Sequence, residues 1–181
     1  MLLHRTGRRI LRDRPLISSE SLPLEWLQSR PVGTLGHSYA QFLQSHKVSP
    51  DTRSPIKYIP DPELAYVMLR YRQVHDFWHV LFGLDSVSVE SELALKGIEW
   101  TQTGLPMTLL SALLGPVRLN SEERERLLTE WMPWAIQAGS RSAFLLNVMY
   151  EEELDKPLDQ LRQELGIFLH PRRDALMASQ M

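Results

Sequence analysis

Between Asp61 and Gly83 the apolar residues Leu64, Val67, Met68, Tyr71, Val74, Trp78 and Phe82 recur at intervals of three and four. That is the period at which one stripe of an α-helix faces a core. A strand cannot bury it, because successive strand side chains point to opposite faces. Asp61-Pro62-Glu63 marks the start with an N-cap, a proline in the first helical position and an acid in the first turn. The helix is expected to run from there to about Gly83. No segment of the 181 residues shows a convincing two-residue alternation. The expected fold is therefore all-α, a single-domain helical bundle with an extended, proline-rich N-terminal wrap.

The wrap covers residues 16–60, where Pro23, Pro31, Pro50, Pro55 and Pro60 interrupt two short helical pieces, 24–27 and 39–43. Beyond a turn at 85–88, helices are expected over 92–102 and 105–114. A further helix starts at Asn120-Ser121-Glu122-Glu123, with Leu127, Leu128, Trp131 and Ile136 on its inner face and a kink at Pro133. Two more are expected over 141–153 and 155–165, the last stopped by Gly166 in a left-handed conformation. The chain thus divides into a basic N-terminal arm over 1–15, one helical domain with a metal site over 16–167, and a disordered tail over 168–181.

There is no cysteine, which excludes disulfides, thiolate zinc sites and a cysteine nucleophile and leaves His, Asp and Glu as the strong metal ligands. Twenty basic side chains against twenty-two acidic ones give no footprint for a phosphate backbone, so nucleic acid is not an expected partner. The balance is uneven, since Arg5, Arg8, Arg9, Arg12 and Arg14 against Asp13 give residues 1–15 a net charge of +4. Such an opening fits a presequence remnant, an arm touching anionic lipid headgroups, or a solvated flexible terminus. Trp100 to Val117 carries no charge, but Gly104, Pro106, Gly115 and Pro116 break it, so it reads as a buried or interfacial segment and not as a membrane span.

The stripe helix carries the chemistry. At about 100° per residue, His75 and His79 fall on its apolar face and Asp76 on the flank. Spacings of three and four let all three heads converge within about one turn. Two imidazoles and a carboxylate suit zinc or another divalent first-row metal, and Glu90 or Glu92 at the start of the next helix can supply a fourth ligand. The alternative is a hydrogen-bonded core network without metal. Asp76 stands where a zinc protease has its glutamate base and is one methylene too short, so peptide hydrolysis is disfavoured. The Gly-Pro break at Gly104-Leu105-Pro106, preceding Leu109, Leu110, Leu113 and Leu114, can wall a lipid-shaped groove or form an ordinary core helix.

His75-Asp76-Phe77-Trp78-His79, Glu92 and Gln102-Thr103-Gly104-Leu105-Pro106-Met107 resemble the coenzyme Q biosynthesis protein 4 family of ubiquinone synthesis. Val48-Ser49-Pro50-Asp51-Thr52-Arg53, Glu63-Leu64-Ala65-Tyr66-Val67, Gly115-Pro116-Val117-Arg118-Leu119, Pro133-Trp134-Ala135 and Glu164-Leu165-Gly166-Ile167 extend the resemblance from about Arg5 to Ile167. The family signature places a glutamate after eleven residues, and a strict count from His79 reaches Ser91. Counting back from the Gln-Thr-Gly-Leu-Pro block reaches Glu92, with one extra residue in the preceding turn. A loop absorbs an insertion more readily than a packed helix changes register, so Glu92 is preferred and Glu90 is the weaker candidate.

The resemblance implies a zinc ion, or another divalent metal, on His75, Asp76, His79 and Glu92. It also implies a prenyl-binding face at Leu105, Leu109, Leu110 and Leu113. It implies a peripheral protein on the matrix side of the mitochondrial inner membrane that organises the ubiquinone-synthesis complex. The implied reaction is removal of the C1 carboxyl of a 4-hydroxy-3-methoxy-5-polyprenylbenzoate, giving a 2-methoxy-6-polyprenylphenol. The expected partners are other ubiquinone-biosynthesis enzymes, prenylated benzoate or quinone intermediates, the inner-membrane surface and a second copy of the chain. The competing class is a non-catalytic prenyl-lipid-binding scaffold whose zinc is structural, and a metal-dependent hydrolase is a weaker third. The resemblance begins close to residue 1, which predicts a presequence that is unusually short or lies outside these residues.

Overall fold

A computed structural model describes residues 1–52, 56–84 and 88–171. The helices are α1 (Arg5–Asp13), α2 (Leu24–Gln28), α3 (Leu35–His46), α4 (Pro62–Phe82), α5 (Val89–Thr103), α6 (Pro106–Leu114), α7 (Ser121–Arg126), α8 (Met132–Arg141), α9 (Tyr150–Glu153) and α10 (Leu158–Glu164). No strand occurs among the described residues, and the fold is all-α as the sequence predicts. The chain forms two units, Met1–Val80 with Phe144–Leu161, and Leu81–Ala143 with Arg162–Met181. No described helix is long and apolar enough to cross a membrane.

In the first unit the N-terminal segment is not a free arm. Its arginines lie on the outside of α1, while Ile10 and Leu11 turn inward against Tyr66 and Met149. Burying those two aliphatic side chains contributes on the order of 1.5–3 kcal/mol each, enough to dock a short helix. The α3 helix starts on Thr34, whose hydroxyl accepts from the His37 N–H. The α4 helix starts as the sequence predicts, with one Asp61 carboxylate oxygen accepting from the N–H groups of Glu63 and Leu64. Its stripe is buried at Tyr71, Val74, Trp78 and Phe82. Leu64, in the first turn, is 59% exposed.

Two groups tie α4 down. The Tyr39 and Phe77 rings stack at 3.9 Å, Phe77 stacks on Tyr150 at 4.9 Å, and the Trp78 indole N–H donates to the Tyr150 hydroxyl at 3.0 Å. Arg70, fully buried, donates to both carboxylate oxygens of Glu151 and to the Val148 carbonyl. An isolated buried guanidinium is prohibitive, so this pairing is a condition of the fold. Residues 142–149 correct the helix expected over 141–153. The chain is extended at Ser142, Phe144 and Val148 around a 3-10 turn at Leu145–Asn147, and only Tyr150–Glu153 is helical. Leu145, Leu146 and Tyr150 bury their side chains from this irregular path, so tertiary burial overrides helical spacing.

In the second unit α5 and α8 approach closely. A side chain at Gly139 would sit 2.1 Å from the Thr101 hydroxyl, and the Gln102 amide donates to the Gly139 carbonyl at 2.6 Å. Asn120 caps α7 through a capping box with Glu123. The kink expected at Pro133 is a π turn over Leu127–Trp131, immediately before α8. One extra residue per turn rotates the downstream helix by about 100°. Leu127 and Trp131 are buried as expected and Leu128 is exposed, while Ile136, downstream of the turn, is rotated into an exposed position. The last helix begins at Leu158 and is closed by Gly166 at φ 67°. The tail expected to be disordered from 168 is packed as far as His170, whose ring stacks on Trp131 at 4.0 Å. Arg53 and Pro55, the 85–88 turn apart from Ser88, and residues 172–181 lie outside the described residues.

Candidate metal centre

The two histidines sit one turn apart near the end of α4. His79 is almost fully buried, and His75 and Asp76 are buried. The imidazoles meet edge to face, with centroids 4.9 Å apart and planes at 83°. Phe42 of α3 stacks on His79 at 5.2 Å and 25°, which fixes the plane of that ring. Neither ring is free to turn toward water, so their nitrogens are presented in a set direction.

The α5 helix begins at Val89, three residues before the sequence expectation, because Ser88 accepts from the Ser91 N–H as N-cap. Glu90 and Glu92 thereby fall in its first turn, where the helix dipole favours negative charge. The two part company there. Glu90 is held by the Arg126 guanidinium at 3.2 Å, and that hydrogen bond raises the Arg126 pKa above its ordinary value. Ser91, reached by the strict count, is buried and donates to the Leu84 carbonyl at 3.4 Å. Glu92 is half-buried. One ligand atom from each of His75, His79 and Glu92 lies within 4.8 Å of the other two. Asp76, though buried beside them, is not a member of that group.

Two imidazole nitrogens and a carboxylate oxygen are the ligand types that zinc and its neighbours take, and three ligands leave a position open. In the second unit a pocket of about 480 Å³ is lined by Val89, Glu92, Leu93, Leu110, Ser111, Leu114, Gly115 and Arg118. Of the expected prenyl-binding face only Leu110 lines it. Leu113 is exposed, and Leu105, the N-cap, and Leu109 are half-buried and do not line it. Arg118 enters the sequence reading only within the family-like block Gly115-Pro116-Val117-Arg118-Leu119, without a site role, and it ends the uncharged run from Trp100 to Val117.

The family model described as coenzyme Q (ubiquinone) biosynthesis protein Coq4 matches residues 1–171. The chain belongs to the Coq4 family. It is 47% identical over 167 residues to a mitochondrial ubiquinone biosynthesis protein COQ4 of Yarrowia lipolytica, covering 92% of this chain and 63% of that protein. Against the mitochondrial COQ4 homolog of Rattus norvegicus the identity is 49% over 166 residues, with 92% and 62% covered. The chain therefore spans about three fifths of the length of these relatives. A crystal structure from Nostoc punctiforme, named for ubiquinone biosynthesis, superposes with a TM-score of 0.73 at 23% identity, over 90% of this chain and 75% of that one. That likeness shows the fold.

Proposed function

We propose that this Coq4-family chain works in mitochondrial ubiquinone biosynthesis, at the matrix side of the inner membrane, as a metal-dependent carboxy-lyase. The substrate on this reading is a 4-hydroxy-3-methoxy-5-polyprenylbenzoate. The observation that carries the reading is the convergence of His75, His79 and Glu92 on one point, in a chain whose relatives are named for this pathway. His75, His79 and Glu92 hold the ion, zinc or another divalent metal, and Asp76 supports it from beside them. The ion supplies Lewis-acid polarisation of an oxygen of the head group. The chain positions the ring near these donors and lays the prenyl tail on the apolar side chains of α6. The C1–carboxyl bond breaks, carbon dioxide leaves, and a proton takes its place on the ring carbon. Other ubiquinone-biosynthesis enzymes are the proposed partners, and handing intermediates between them is the proposed organising role.

The test is release of carbon dioxide from a prenylated 4-hydroxybenzoate by the purified protein. Turnover in the wild type and its loss in His79→Ala, with the fold retained by circular dichroism, support the lyase. Full activity in a variant without metal contradicts it. Bound metal with no turnover moves the function to a scaffold in which the ion joins two helices.

A further inference from the structure

The pocket between α5 and α6 has apolar walls, Val89, Leu93, Leu110 and Leu114, and two charged side chains, Glu92 and Arg118. Neighbouring arginines are committed elsewhere. Arg124 donates to the carbonyls of Pro116 and Leu119, and Arg126 to Glu90 and Glu122. The Arg118 side chain has no hydrogen bond or ion pair among the described residues. A guanidinium presents a planar fork of donors that matches a carboxylate with two parallel hydrogen bonds. Beside an apolar cavity of this size, its complement is an acid group on an apolar body.

We propose that Arg118 recognises the carboxylate of an apolar-bodied acid seated in this pocket. Under the proposed function that acid is the prenylated benzoate, and the inference rests on that reading for the ligand's identity. It adds a direction to the cycle. Loss of carbon dioxide removes the charge that Arg118 holds, so the phenol is bound more weakly than the acid and leaves. The contact is strongest in the bound acid and weakens as the charge leaves the carboxyl, so it lowers KM without raising kcat. Arg118 is a specificity residue on these grounds, not a source of rate.

The experiment uses the purified full chain with its metal, and calorimetry of three ligands: a farnesylated 4-hydroxybenzoate, the farnesylated phenol lacking the carboxyl, and palmitate. The wild type is expected to bind the aryl acid about tenfold or more tighter than the phenol, the worth of a charge-assisted hydrogen bond. Arg118→Gln should lose that margin and bind the phenol as before, while Arg118→Lys restores part of it. Arg118 is exposed, so these variants are expected to fold, and circular dichroism checks it. Palmitate decides the source of the acid: equal binding extends the site to fatty acids, and weaker binding shows that the ring is read as well. Arg118→Gln binding the aryl acid as the wild type does, or losing acid and phenol alike, overturns the inference. Failure of the lyase reading is told apart, because a wild type that prefers the acid but releases no carbon dioxide loses only the turnover.

Discussion

Two helices of this chain invert the usual relation between polarity and burial. The α4 helix buries Arg70, Gln73, His75, Asp76 and His79, while α6, written almost wholly in apolar residues, leaves Met107, Leu110, Leu113 and Leu114 exposed. A buried polar group is tolerated only where partners await it. Arg70 has Glu151 and the Val148 carbonyl, and the two imidazoles meet each other edge to face. An exposed run of leucines on a small domain is a surface meant for an apolar ligand, a partner or a lipid face. Burial in α4 is thus fixed by what each side chain meets, whereas of the exposed side chains on α6 only Leu110 and Leu114 line the pocket.

The contrast can be broken most forcefully at Arg70. Arg70→Ala strands Glu151 and is expected to cost about 3–5 kcal/mol of stability, as breaking a buried ion pair does. Urea unfolding measures it, and a loss under about 1 kcal/mol would class the pair with exposed ones. Tyr150→Phe is a smaller change. It removes the hydroxyl that accepts from Trp78 and donates to the Leu145 carbonyl, with an expected cost of about 1–3 kcal/mol. The same titration on a Trp78→Phe background should show a smaller cost, that of the remaining bond to the Leu145 carbonyl. Smallest of all is Leu113→Gln on α6, where the side chain is 65% exposed. Its stability should stay within about 0.5 kcal/mol of the wild type. A drop of several times that would mean α6 is covered in solution and the contrast between the helices is false.

How much of this was legible in the sequence differs between the same two helices. The α4 helix announced itself through Asp61-Pro62-Glu63 and a stripe of constant period, and the histidines stood out because they interrupt the stripe on its buried side. Arg70 did not, since its partner lies 81 residues away and no local pattern marks it. Glu92 was reachable by anchoring the count on the downstream Gln-Thr-Gly-Leu-Pro block, because a packed helix holds its register more firmly than a loop. Asp76 was expected among the ligands from its spacing, and it is buried on the same helix without joining the group that His75, His79 and Glu92 form. On α6 and its N-cap an apolar sequence suggested a prenyl-binding face of four leucines, of which only Leu110 lines the pocket. Ile136 escaped for a different reason, the π turn that resets the phase of the helix before Pro133.

The central claim is that the polar groups buried at the end of α4 hold a metal ion. Elemental analysis of protein purified without chelators or a metal-affinity tag, wild type against His79→Ala, tests it most directly. The account predicts about one zinc or other divalent ion per folded wild-type chain and none in the variant. Folded wild type without metal would contradict it and make His75, His79 and Glu92 a hydrogen-bonded network.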